Sequence, residues 1–369
     1  MRLLFVTLTG QGHITPTLAL VAELVRRGHQ VDYATEHPVG TGTAWVELPP
    51  LQPHVPLTAN PLAGWLRHYF HALRATYPVL LEHCTRERPD GIVYDSTNWP
   101  ARLVAEKLGI PAVRTIPNFA SSAAFPLYDQ MTAGVDTTEL ETECARFAAR
   151  HGVQLDFQGT LDVPEPLNLV FLPRDFQPAA DSFDDRFRFI GPLLGDREHR
   201  EEWTPRGKPV LFISLGTIFT DVAFYRRCIE AFEDTEWHVA MTIGGTRLSH
   251  VPANFDVRPR FPQVAVLKQA SAFITHAGMN STMEALTYGV PLVASPMTPE
   301  QKANADRVVE LGLGERVNPG DDLRAAVERA RTKDLSWMRA VIRDSGGAAK
   351  GADEIENYLG GAPGVQRAL

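Results

Sequence analysis

The sequence predicts an α/β protein of two domains, each built on a parallel sheet. Short apolar runs alternate with helical stretches, and the alternation begins twice, at Leu3 and again at Val210. Strands separated by helices of this length need crossover connections and pair in parallel. The chain has 369 residues, enough for two domains at roughly 150 residues each.

In order, Leu3 to Thr9 reads as a buried strand. Thr15-Pro16 offers an N-cap and a proline at the first helical position, and Leu18, Val21, Ala22 and Val25 follow at helical spacing up to Gly28. Gln30 to Thr35 and Gly91 to Tyr94 are strands; Ala101 to Leu108 is a helix stopped by Gly109; Ala112 to Ile116 is a strand. The stretches Leu48 to Arg88 and Asn118 to Pro166 are read as irregular insertions of the kind that cover the carboxyl ends of strands. Ile190-Gly191-Pro192 closes the first half. In the second half, Val210 to Ser214, His238 to Ile243, Phe273 to Thr275 and Leu292 to Ala294 read as strands. Asp221 to Phe232, Ser281 to Tyr288, Pro299 to Leu311, Asp321 to Arg331 and Leu335 to Tyr358 read as helices, the last bent at Gly346-Gly347. The expected division is 1–194, a linker over 195–208, 209–340, and a closing helix in 341–369 that packs back on the first domain.

Composition excludes several classes. The net charge of −8 argues against a nucleic-acid footprint, which would be basic. Cys84, Cys144 and Cys228 are too scattered for a zinc site and fit a reducing cytoplasm better than a disulfide scaffold. No run approaches ~18 consecutive apolar residues, so no integral membrane segment is expected. Homodimerisation is left open.

Two segments carry chemistry. Gly10-Gln11-Gly12-His13 follows the first strand, where glycines admit a ligand close to the backbone. Thr15 stands where GxGxxG needs a glycine, which disfavours a nicotinamide dinucleotide site. His13 is either a general base for a hydroxyl or a hydrogen-bonding loop residue. Asp95, at the end of a later strand, either orients that imidazole or shapes a turn with Ser96, Thr97 and Asn98. In the second half, Thr275 to Glu284 joins a strand to a helix whose first amides suit a diphosphate, and Ser214-Leu215-Gly216-Thr217 offers a second set. The alternative there is capping: Ser281/Glu284 has S-x-x-E spacing and Thr298/Gln301 has T-x-x-Q.

At this segment the sequence resembles the GT-B family of nucleotide-sugar glycosyltransferases, especially the bacterial macrolide and antibiotic enzymes. The likeness runs from Gly12-His13 to about Leu313 and is strongest in Pro262-Gln263, in HAGMNSTME at 276–284 and in PMTPEQ at 296–301. It implies two Rossmann-like domains with parallel sheets facing across a cleft. It implies His13 as base and Asp95 as its partner; Thr217, His276, Gly278, Asn280 and Ser281 on the diphosphate; and Glu284 on the ribose. Gln263 and Val264 would meet the nucleobase, and Glu300 and Gln301 the sugar. Arg260 stands where relatives carry a tryptophan that stacks on uracil, so the resemblance does not separate UDP- from TDP-sugars. The implied reaction is inverting, metal-independent hexosyl transfer from a nucleoside-diphosphate sugar to a small hydrophobic acceptor such as a macrolide, polyketide or polyphenol, with no other cofactor. Rivals are a sugar-nucleotide 2-epimerase and a non-catalytic accessory homologue; the Gly-His loop with Asp95 favours transfer over both.

Overall fold

The computed structural model describes residues 1–7, 10–40, 42–50, 61–132, 134–157, 163–198, 202–216 and 220–361. It forms two compact units: Met1–Leu193 with the chain from Ser345 onward, and Leu194–Asp344.

The first unit holds a seven-stranded sheet of β1 (Arg2–Val6), β2 (Gln30–Thr35), β3 (Ala44–Glu47), β4 (Gly91–Asp95), β5 (Ala112–Ile116), β6 (Leu167–Val170) and β7 (Phe187–Phe189). Its order is β3-β2-β1-β4-β5-β6-β7, with every pair parallel. The unbroken apolar run of β1 is explained by burial on both faces: Leu4 and Val6 join one core, Leu3 and Phe5 the other.

Three readings are corrected here. The first helix spans Gln11–Arg26, not a start at Thr15, and Pro16 lies inside it. Gly10 caps the helix at φ +144°, a conformation open to glycine, so the backbone can turn into the helix five residues earlier than a Thr15 cap would allow. The region expected to be irregular before Arg88 contains a helix over Pro61–Glu87. Phe70, Leu73, Tyr77, Leu80 and Cys84 recur at helical spacing and bury against the sheet; Pro78 and the scattered His and Arg residues obscure that period in the sequence. The second such region contains helices over Leu127–Thr132 and Thr138–His151.

The second unit repeats the plan with β8 (Val210–Ser214), β9 (His238–Thr242), β10 (Phe255–Arg258), β11 (Ala272–Thr275), β12 (Leu292–Ala294) and β13 (Gly314–Arg316). Its parallel order is β10-β9-β8-β11-β12-β13. Helices run over Val222–Phe232, Gln263–Leu267, Met279–Tyr288, Pro299–Glu310, Leu323–Ala330 and Ser336–Asp344. In both sheets the strand order reverses beside the unit's first strand, the place where open α/β sheets bind ligands.

The closing segment splits at Gly346-Gly347, as its composition predicts. The helix Gly347–Gly361 lies against Gln11–Arg26, with Ala352, Ile355 and Leu359 in the first unit's core. Arg27 pairs with Asp353 and Glu356, and His29 with Glu356. Among the described residues no helix is long and apolar enough to cross a membrane.

Candidate active site

In the first unit, β1 and β4 are neighbours at the reversal of strand order. His13 occupies the first turn of the helix after β1, and Asp95 is the last residue of β4. Their side chains meet: His13 Nδ1 lies 2.8 Å from Asp95 Oδ2. The carboxylate is 1% exposed, while the imidazole is half-buried. Asp95 Oδ1 accepts from the backbone amide and the hydroxyl of Thr97. Burial pushes the Asp95 carboxyl up, but the His13 imidazole and the Thr97 donors outweigh it and hold the group below the ordinary carboxylate value. The turn reading is thus also realised, since Asp95 receives the Thr97 amide and its backbone carbonyl the Asn98 amide. Both roles coexist because one oxygen serves each.

In the second unit, β8 and β11 are the neighbours at the reversal. β8 runs into Gly216 and β11 into His276, whose ring sits between two glycines. A Cβ on Gly216 would stand 2.7 Å from His276 Cε1, and one on Gly278 2.5 Å from Nε2. Only glycine admits the ring at both places. Burial lowers the His276 pKa to about 4, against a smaller raising effect of its hydrogen bond to the Ser214 backbone, so the ring is neutral at pH 7. Ala277 adopts φ +63°, unusual for a residue with a Cβ. Its carbonyl accepts from Asn304 Nδ2 at 3.0 Å, and its amide donates to Thr275 Oγ1 at 3.3 Å. Strained backbone of this kind persists where surrounding contacts hold it, as the buried Asn304 does here.

The helix Met279–Tyr288 starts at this loop with Gly278 as N-cap and no side-chain cap. The S-x-x-E capping box is therefore not formed: the helix begins before Ser281, too early for Ser281 to serve as its cap. Ser281 Oγ instead accepts from Gln263 Nε2 at 3.0 Å. Glu284, 3% exposed, accepts from Gln263 Nε2 at 2.6 Å through one oxygen and from Arg197 Nη1 at 2.5 Å through the other. The structure so brings Gln263, Ser281 and Glu284 together, with His276, Gly278 and Asn280 on the adjoining turn. Val264 is buried in the short helix Gln263–Leu267, and Arg260 is exposed on the chain entering it. Thr217 lies outside the described residues.

The T-x-x-Q box is formed. Thr298 Oγ1 accepts from the Gln301 amide, and Gln301 Oε1 accepts from the amides of Met297 and Thr298. The Gln301 carbonyl oxygen is thus committed to the helix start; Glu300 is half-buried on the same turn.

Two participants escaped the sequence. Arg197 belongs to a stretch read as linker, yet it forms part of a short 3-10 turn, Gly195–Glu198, in the second unit. Its partner is 87 positions away, and no local pattern announces such a pair. Asn304 sits on a helix whose polar residues read as solvent-facing.

Paired parallel α/β units with an imidazole–carboxylate couple at one switch point and a glycine-walled loop and open helix start at the other are the architecture of GT-B glycosyltransferases. Known proteins agree. The chain is 37% identical over 380 residues to NDP-glycosyltransferase YjiC of Bacillus licheniformis, covering 94% of this chain and 95% of that one. It is 33% identical over 400 residues to demethyllactenocin mycarosyltransferase of Streptomyces fradiae, covering 96% and 86%. The solved structure of CalG4, the calicheamicin glycosyltransferase, superposes with a TM-score of 0.86 at 34% identity, covering 98% and 99%. Residues 199–341 match the family described as UDP-glucoronosyl and UDP-glucosyl transferase. The chain belongs to that family: it is a nucleotide-sugar glycosyltransferase, close to those of macrolide pathways.

Proposed function

We propose that this enzyme moves a hexose from a UDP- or TDP-sugar to a hydroxyl of a small hydrophobic natural product, with inversion and without a metal ion. The observation that carries the reading is the 2.8 Å contact between His13 and the buried Asp95 at the switch point of the first unit. With Nδ1 engaged, proton transfer falls to Nε2. As the acceptor oxygen bonds to the anomeric carbon, its proton passes to His13 and the bond from that carbon to the diphosphate oxygen breaks. Asp95 stabilises the imidazolium so formed. The first unit thus serves the acceptor, the second the donor.

On the donor side, the first amides of the helix Met279–Tyr288, which has no side-chain cap, and the neutral His276 ring supply hydrogen bonds to the diphosphate, with Gly278, Asn280 and Ser281 at the same turn and Thr217, which follows β8 in sequence, as a further donor. Glu284 receives the ribose hydroxyls. The backbone of Gln263 and Val264 meets the nucleobase, over which the Arg260 guanidinium stacks. Glu300 and the amide nitrogen of Gln301 take the sugar hydroxyls. Relatives named for oleandomycin and demethyllactenocin support a natural-product acceptor. Cys84, Cys144 and Cys228 are buried free thiols, in keeping with a cytoplasmic enzyme.

The test is incubation of UDP- and TDP-glucose with macrolide and polyphenol panels, with and without EDTA, followed by mass and NMR analysis. One hexose added to an acceptor in inverted configuration, unaffected by EDTA, is expected. An epimerised donor formed without acceptor, or retained configuration, overturns the reading.

A further inference from the structure

The helix bearing His13 starts without a side-chain cap on Gly10, and Pro16 withdraws one amide from the ladder. The His13 and Ile14 amides donate to the Gly10 carbonyl at 2.9 and 3.1 Å, and side chains then tie this turn to the sheet beneath it.

Three buried hydroxyls do so. Tyr33 on β2, Thr7 just beyond β1 and Thr17 in the helix are at most 2% exposed. Thr7 Oγ1 donates to Tyr33 Oη at 2.6 Å, Thr17 Oγ1 and Tyr33 Oη are 2.7 Å apart, and Thr17 Oγ1 donates to the Ile14 carbonyl at 2.8 Å. Each hydroxyl has one proton. Thr17 spends its own on Ile14, so Tyr33 must donate to Thr17, and Thr7 to Tyr33. The polarity is fixed from Thr7 through Tyr33 and Thr17 to the carbonyl of Ile14, the residue after His13. Core packing does not require this phenol: the Tyr33 ring stacks on Phe5 at 6.1 Å, which a phenylalanine would do equally. Burial pushes the phenol up to about 12 against the smaller lowering effect of its hydrogen bonds with Thr17 and Thr7, so Tyr33 keeps its proton and acts as a fixed donor.

We propose that Tyr33, through Thr17 and anchored by Thr7, is the positioning residue that sets His13 against Asp95. The proposal rests on the reading of His13 as the base for its effect on rate. Its geometric content stands apart from that reading. A base displaced by about 1 Å loses much of its rate advantage.

Tyr33→Phe and Thr17→Val are expected to lower kcat about 10-fold, with KM for donor and acceptor within about twofold of wild type. Thr17→Ser, which keeps the hydroxyl, should restore kcat. A purely structural loss would not distinguish Ser from Val in this way at temperatures where both are folded. Independently of rate, the downfield ring-proton NMR signal of the His13–Asp95 hydrogen bond, assigned by its disappearance in His13→Ala, should broaden or vanish in Tyr33→Phe. Should Tyr33→Phe fail to fold, Thr17→Val reads the same chain. Unchanged kcat together with an unchanged ring-proton signal in the folded variants overturns the proposal. Full activity of His13→Ala instead overturns the base assignment, and the ring-proton signal then decides the positioning role alone.

Discussion

His13 and Asp95 divide their labour by burial: the carboxylate is enclosed and the imidazole only half so. His13→Ala should lower kcat roughly 10²–10⁴-fold, the ordinary worth of a general base, while leaving nucleotide affinity measured by calorimetry within twofold. Asp95→Asn should lower kcat by a similar factor, because both carboxylate oxygens accept hydrogen bonds and one of them becomes an NH2 donor as the counter-charge is lost. The same pair predicts acid sensitivity. Asp95 titrates lower in the folded chain than in the unfolded one, so its contribution is full above the unfolded carboxylate value of about 3.9 and is lost as pH falls through the lower folded value. Circular-dichroism melts between pH 5 and pH 2.5 should therefore show a smaller acid-induced drop for Asp95→Asn than for wild type. The loop and strand ends left His13 and Asp95 each with a second reading, and only the family resemblance paired them. The Tyr33 chain beneath them was not legible, since its partners lie 16 and 26 positions away and a tyrosine in a strand reads as core.

For the elements, the two helix starts of the second unit obey different rules, and sequence spacing alone did not separate them. Thr298 and Gln301 close a full capping box, so Thr298→Ala should destabilise the unit by about 1 kcal/mol in a denaturant melt. Ser281 and Glu284 have the same kind of spacing but no cap to make, because Gly278 already begins the helix. Glu284 is freed for other partners, and one of them is Arg197. In Arg197→Met the buried carboxylate keeps Gln263 but loses its counter-charge, which should cost about 2 kcal/mol, discounted because the Arg197 side chain is 34% exposed. A lowering of the unfolding temperature by roughly 5 °C is the expected reading. Periodicity recovered most of the strands next to the sites. It missed Pro61–Glu87, where apolar residues keep helical spacing but proline and charged residues interrupt the eye.

Across the whole molecule, the first unit is completed by a helix that follows the second in sequence. Gly351 lies in this seam: a Cβ there would stand 2.9 Å from Ile190 Cδ1 and 3.1 Å from a Leu20 methyl. Gly351→Val should overpack this seam and cost about 1–3 kcal/mol, seen as a lower melting temperature of the first unit with that of the second unchanged. The duplicated fold was legible because its apolar runs restart after Gly191-Pro192. The closing segment was read from its helical pattern and the bend at Gly346-Gly347.

Because residues Leu194–Asp344 interrupt the first unit, a chain emerging from the ribosome presents the entire second body before the first can close. The exposed seam along Leu20 and Leu24 must wait, uncovered, while some 150 residues are synthesised and fold. Maturation of the first unit is therefore expected to trail that of the second, and a pulse of protease during synthesis would cut the earlier-made half more readily than the later one.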